Sequence, residues 1–302
     1  MKKSFVLMVI AAILYSICTP LSKYLFSELP SIFVSSLFYL GAGVGVGIIF
    51  LIARLTKKDK DELLSKKDFI YVGIINICDS ISSFLLFYGI SLISSEEASL
   101  LQSFEVVSTS LFAYFIFKEK ISWRLIIAIL FLLTGSMLLG FSFNSALEFN
   151  IGTFYVLLAV SLFGISNNVI KKVSNKSTLE FTTFKCLIPG IILLIISLAT
   201  GQYNLNIAFM GYSLIGGFFS FGVSVFFYTL AVRKLSASLG TTIFSINPFF
   251  AAILSIIIFK DIPEWNFYVS LTLLVIGEAF AAYDNYINSK KEATLYIDNK
   301  QS

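Results

Sequence analysis

Histidine is absent from the 302 residues of this chain. Its absence removes every mechanism built on imidazole, including Ser-His-Asp triads, HExxH zinc helices and haem ligation. Charge is scarce as well. Asp, Glu, Lys and Arg make up 13% of residues, where a soluble domain keeps about 25% to wet its surface. So few charges cannot cover a water-facing surface, but they suit a lipid-facing one. The net charge is only +4, so nothing points to a nucleic-acid partner. The three cysteines, Cys18, Cys78 and Cys186, lie in apolar stretches without ligand-like spacing. They read as small buried apolar residues. A nucleotide-binding loop is missing too. Gly41, Gly43, Gly45 and Gly47 have no preceding strand and no Lys-Ser/Thr after them. Gly41 and Gly45 fit a small-xxx-small packing face instead. Long polar segments are few: only 54–67 and 287–302 qualify, and neither could fold into a domain.

What the chain has in abundance is apolar sequence, 57% hydrophobic and 16% aromatic with a mean hydropathy of +0.87. A helix needs about 20 mostly apolar residues to cross the hydrocarbon core. Breaks at charge clusters and at Pro, Asn and Gly give ten expected spans: 4–22, 31–53, 68–92, 97–117, 122–142, 150–170, 178–200, 207–232, 237–259 and 264–286. The chain begins Met1-Lys2-Lys3 and then stays apolar to about residue 19 without a small-x-small cleavage site. A retained first span is expected over a signal peptide. With the N-terminus inside, the clusters Arg54/Lys57/Lys58/Lys60/Lys66/Lys67, Lys118/Lys120/Arg124, Lys171/Lys172/Lys176, Arg233/Lys234 and Lys290/Lys291/Lys300 all fall inside. Only Lys23 and Lys260 fall outside. Cytoplasmic loops are rich in Lys and Arg. Both termini, with the polar tail 287–302, are therefore expected in the cytoplasm, and the spans in the plasma (inner) membrane of a bacterium or archaeon.

The two halves echo each other. Tyr88-Gly89-Ile90-Ser91-Leu92 and Tyr228-Thr229-Leu230-Ala231-Val232 both end the third span of a half. Phe117-Lys118-Glu119-Lys120-Ile121-Ser122-Trp123 is echoed by Phe259-Lys260-Asp261-Ile262-Pro263-Glu264-Trp265, and Thr134-Gly135-Ser136 by Ile276-Gly277-Glu278. Tyr15-Ser16 with Lys23 matches Phe163-Gly164 with Lys171. Five spans per half is an odd number, so equivalent segments must point in opposite directions. The loop charges agree: after the third span the loop holds Glu96 and Glu97 in one half, Arg233 and Lys234 in the other. Many secondary transporters use such an inverted repeat, with the substrate site near the midplane. The expected fold is thus all-α integral membrane, ten transmembrane helices as two inverted five-helix repeats, 1–142 and 150–286. At this point the chain resembles EamA-type members of the drug/metabolite transporter superfamily, over residues 4 to about 286. Carrying the resemblance are the Ser- and Ala-rich hinge, the small-residue fourth span, and Lys118-Glu119 or Lys260-Asp261 before a Trp. The resemblance implies that fold, with the last span of each half peripheral. Many relatives carry Pro in both fourth spans. This chain keeps Asn247-Pro248 but has Phe104-Glu105-Val106 in the first half.

An ionisable residue at mid-membrane costs about 3 kcal/mol on insertion scales and marks a functional hypothesis. Asp79, Glu105, Lys185 and Glu278 are the four here. Asn76, Asp79, Ser80 and Ser83 share one face of the third span; Gln102, Glu105 and Thr109 form a similar stripe on the fourth. Tyr15, Ser16 and Thr19 line the first span, and Ser161, Asn167 and Asn168 the sixth. On the ninth, Thr241, Thr242, Ser245 and Asn247 precede Pro248, which can leave a carbonyl free to meet substrate. The candidate substrate or proton-coupling residues are Asp79, Glu105, Gln102, Asn76, Asn167, Asn168, Asn247, Lys185, Tyr15 and Tyr88. Each has a structural alternative. A carboxylate can be bonded to a neighbouring helix, Lys185 can neutralise one or snorkel, and Asn can glue helices together. Glu278 has no polar stripe around it.

With no motor domain, energy would come from a gradient or from exchange. The first expectation is a secondary transporter, an exporter or exchanger of a small polar metabolite such as an amino acid or a related zwitterionic or cationic compound. Two carboxylates and many rings suit an amine; Lys185 suits a carboxylate. Alternatives are an importer or exchanger of a quaternary amine, nucleotide or sugar derivative, a membrane-embedded enzyme, or a structural bundle. No catalytic, cofactor or metal site is expected. The expected partners are a small-molecule substrate, the lipid bilayer and protons as a coupling ion, in a monomer or homodimer.

Overall fold

The computed structural model describes residues 2–57, 59–117, 122–142, 148–170, 172, 173, 175–233 and 243–301. Lys58, Lys118, Glu119, Lys120, Ile121, Lys171, Lys234, Thr241 and Thr242, all used above, lie outside the described residues. Apart from a two-residue ladder between β1 (Phe141–Ser142) and β2 (Glu148–Phe149), the regular elements described are helices. The first half holds α1 (Lys2–Ser16), α2 (Cys18–Leu25), α3 (Ser31–Leu55), α4 (Asp68–Leu92), α5 (Ser95–Leu101), α6 (Phe104–Phe117) and α7 (Trp123–Gly140). The second holds α8 (Ile151–Ile170), α9 (Thr178–Ala199), α10 (Ile207–Gly216), a π-helical stretch (Gly217–Val223), α11 (Ser224–Val232), α12 (Asn247–Phe259) and α13 (Trp265–Gln301).

Short polar residues start these helices by accepting a backbone N–H. Ser94 accepts from Glu97, Ser122 from Leu125, and Ser177 from Glu180, at 3.2–3.3 Å. A proline ring removes one backbone N–H from a helix. Pro20 sits just past the turn at Ile17 that divides α1 from α2, and Pro189 lies inside α9, one turn beyond Lys185.

Among the described residues, eight helical stretches are long and apolar enough to cross a membrane. That is two fewer than the ten expected, and the shortfall has a physical cause. The expected span 97–117 is broken by a turn at Gln102–Ser103 into helices of 7 and 14 residues. In the expected span 237–259, α12 has only 13 residues and follows a turn at Ser245–Ile246. Polar side chains that compete for backbone groups stand at both breaks.

Packing pairs early helices with late ones. α3 lies along α9, α4 along α8, α7 along α13, and α5 against α12, while α1 contacts α11 and α12. Glycines let the first of these close up. A Cβ at Gly43 would stand 2.7 Å from the Leu187 nitrogen, and one at Gly190 2.9 Å from the Leu40 nitrogen. Gly135 and Gly277 do the same across α7 and α13, Gly135 against Leu274 and Ser270, Gly277 against Leu132 and Ala128. Gly41 and Gly45 meet Leu214 and Phe218, so they are a packing face as expected. Cys18, Cys78 and Cys186 are free thiols, the first and last buried.

Polar ties join the loops at the two ends of the bundle. At one end, Lys176 pairs with Glu62 at 2.7 Å, the Ser177 nitrogen donates to the Glu62 carbonyl at 2.8 Å, and Arg233 pairs with Asp61 at 2.5 Å. The Leu64 nitrogen donates to the Glu180 carboxylate at 2.7 Å. At the other end, Asn204 Nδ2 donates to the Glu28 carbonyl at 2.9 Å. Lys23 donates to the carbonyls of Ile90, Ser91 and Ile93, at 2.9, 3.3 and 2.5 Å, placing its cation on the C-terminal end of the α4 dipole.

Candidate functional site

Polar residues of α4, α6, α8 and α9 meet inside the bundle. Asp79 is fully buried, and its Oδ2 accepts from the Lys185 ammonium. α4 supplies the carboxylate and α9 the ammonium. Burying either ion alone would cost several kcal/mol, and the pair offsets much of that. Lys185 is thus turned inward onto a carboxylate, buried at 6% exposure. The second bridge joins Asn167 Nδ2 on α8 to Glu105 Oε1 on α6. Glu105 and Tyr15 both feel the charge of Asp79, so the two bridges and the α1 tyrosine share one electrostatic neighbourhood.

Several polar atoms of this neighbourhood have no protein partner. Asp79 Oδ1 and both polar atoms of the Asn76 side chain are buried without a hydrogen bond. Asn76 stands one turn from Asp79, so the three orphans lie along one face of α4. A buried amide left unpaired costs about 1–3 kcal/mol, which a polar ligand or water can relieve.

Gln102, at the break between α5 and α6, donates to Thr19 Oγ1 at 2.8 Å. Both residues line an interior cavity with Tyr15, Tyr39, Ser83 and Phe163. Tyr39 accepts from Ser83 at 2.5 Å. The cavity volume is about 10 Å³, room for roughly one water. A metabolite requires an order of magnitude more, so the surrounding helices must separate to admit one.

The remaining candidates are placed differently. Asn168 Nδ2 donates to the carbonyls of Thr109 at 3.0 Å and Gly164 at 2.9 Å, which ties α8 to α6. Asn247 donates to the Phe244 carbonyl at 3.0 Å. That is the carbonyl Pro248 leaves without its helical donor, so it does not stand free for a substrate as expected; the neighbouring amide occupies it. Tyr88 lies away from the cluster. It is 38% exposed and packs edge-on against Tyr155, with ring centroids 5.2 Å apart. Glu278, given no stripe by the sequence, is buried and faces Ser245 at the break before α12. Tyr39 was missed by sequence reading. Only its pairing with Ser83 on another helix reveals it, and no periodicity encodes that.

Comparison with known proteins follows the same lines. The model of the EamA-like transporter family matches residues 2–141 and 150–283. An uncharacterized transporter of Clostridium kluyveri is 27% identical over 312 aligned residues, covering 98% of this chain and 96% of that protein. One of Methanothermobacter thermautotrophicus is 24% identical over 273 residues, covering 85% and 79%. A solved crystal structure superposes with a TM-score of 0.70 at 16% identity, covering 95% of this chain and 98% of that one, which is a likeness of fold. A match over both halves, on a chain whose apolar helices enclose a polar interior, leaves one assignment: this multi-pass membrane protein belongs to the EamA-like transporter family.

Proposed function

We propose that the protein is a secondary carrier of a small polar metabolite, working by alternating access of two inverted five-helix halves. An amino acid or a related zwitterionic or cationic compound is the substrate class the interior suits best, and export or exchange is the mode. The observation that carries this reading is the pair of polar bridges. Asp79 with Lys185 and Glu105 with Asn167 each join a residue of the first half to one of the second. Rocking the halves apart breaks both bridges at once. A zwitterion can then replace them, its ammonium on a carboxylate and its carboxylate on Lys185.

Two further observations support the inverted arrangement. The loop after α3 is tied to the loop after α8, and the loop after α2 to the loop after α9. The second span of the first half therefore ends beside the first span of the second half. The reciprocal glycine contacts of α3 with α9 and of α7 with α13 are what a two-fold axis in the membrane plane produces. The excess of Lys and Arg at the Lys176 end supports cytoplasmic termini in a plasma membrane.

The test is counterflow in proteoliposomes against a panel of amino acids, quaternary amines, nucleotides and sugar derivatives, with and without a pH gradient. A zwitterion exchanged by the wild type but not by Asp79→Asn is the expected result. Exchange of neutral sugars alone, unaffected by that change, would overturn the substrate class.

A further inference from the structure

Glu278 takes part in neither bridge. It lies on α13, a helix whose sequence there is otherwise apolar. The residue is 7% exposed, and its Oε1 has no hydrogen-bond partner. The hydroxyl facing it belongs to Ser245, in the turn that interrupts the chain before α12. Glu105 acts on it electrostatically from α6.

Among the described residues, the other elements packed on α13 supply no charge to balance it. α7 contributes Ala128 and Leu132 beside Gly277, and Ser136, which is buried with an unpartnered hydroxyl. Arg124 of α7 pairs with Asp284 at 3.0 Å, further along α13. On α5, Glu96 and Glu97 act on Lys23, and Lys185 is held by Asp79. Among the described residues, Glu278 has no paired cation. A lone carboxylate at this depth is costly, and a second carboxylate nearby raises that cost. Among the described residues no group of three or more Cys, Asp or Glu side chains is placed to hold a metal ion, whereas a proton needs a single lone pair.

We propose that Glu278 is a proton-carrying carboxyl of the transport cycle. The proton comes from water reaching the break before α12, binds the free Oε1, and returns to water when the halves exchange access. Asp79 is engaged differently, its Oδ2 accepting from the Lys185 ammonium. The proposal rests on the carrier reading, and its test separates the two.

Proteoliposomes are treated with dicyclohexylcarbodiimide, which adds to protonated carboxyls in apolar surroundings, between about pH 5 and pH 9, and the adducts are mapped by mass spectrometry. Glu278 is expected to label at the acid end and to lose about tenfold by the alkaline end. In parallel, the amino acid with the strongest counterflow serves as probe. The ratio of pH-gradient-driven accumulation to counterflow should fall about tenfold in Glu278→Gln and be largely restored in Glu278→Asp. A wild-type ratio in Glu278→Gln, or pH-independent labelling of Glu278, would overturn the proposal. Counterflow with no response to a pH gradient would sink it too, while leaving the carrier reading in place. Absence of any counterflow would remove the carrier reading, and the labelling profile would still report whether Glu278 takes up a proton.

Discussion

A carboxylate and an ammonium that meet inside a bundle are bound to each other more by the cost of separation than by their own attraction. Asp79 and Lys185 are such a pair, on helices α4 and α9. Removing one partner leaves a buried charge without compensation, at about 3–5 kcal/mol. Lys185→Met should therefore lower thermal stability in detergent by an amount in that range. Asp79→Asn combined with Lys185→Met should recover most of it, because two neutral groups need no partner. Exchange should be lost in all of these variants. Full transport by the double variant would make the pair structural. Glu105→Gln is the complementary experiment. The amide keeps the size and the contact with Asn167 but cannot titrate. If Glu105 carries a proton, accumulation should fall more than exchange; if it binds a substrate amine, both should fall together. Wild-type values for both would leave Glu105 as helix glue.

Among the elements, uninterrupted apolar helices were the legible part. The sequence predicts a span over 68–92, and α4 occupies Asp68–Leu92. The expected 178–200 is met by α9 over Thr178–Ala199. The breaks were not legible, because hydropathy is summed over a window and a two-residue turn at Gln102–Ser103 hardly changes the sum. Of the candidate site, the stripes on α4 and α6 could be read from their helical spacing. Which stripe meets which could not, since the Asp79–Lys185 and Glu105–Asn167 contacts depend on how distant helices pack. Glycine shows the same division. Gly43 and Gly73 look alike in sequence, yet a Cβ at Gly43 meets Leu187 while one at Gly73 meets nothing within 4 Å. Gly43→Ala should destabilise by about 1–3 kcal/mol through overpacking. Gly73→Ala should be neutral or stabilising, up to about 1 kcal/mol, from helix propensity alone. Equal melting temperatures for the two variants would refute the close packing of α3 on α9.

At the scale of the whole molecule, the question is whether the two halves run in opposite directions, and the loop ties make it answerable. Lys176 bonds Glu62 and lies 3.7 Å from Asp68. Its hydrogen bond to Glu62 holds the ammonium above the ordinary lysine range. Such a raised value means that on the alkaline side the ammonium's part in the tie is lost only as the pH climbs through that raised range. The loops around Lys60 and Asn175, which follow α3 and α8, are therefore held together at one end of the bundle. Asn204 bonds Glu28 at the opposite end, so it belongs to the other side. Reporter fusions at Lys60 and Asn175 should both read cytoplasmic, and a fusion at Asn204 external. Cysteines at Glu62 and Lys176 should also cross-link in whole membranes, with efficiency falling when substrate drives the halves through their cycle. Lys60 and Asn175 reading on different sides would sink the inverted arrangement, and with it the rocking of one half against the other on which the transport proposal depends.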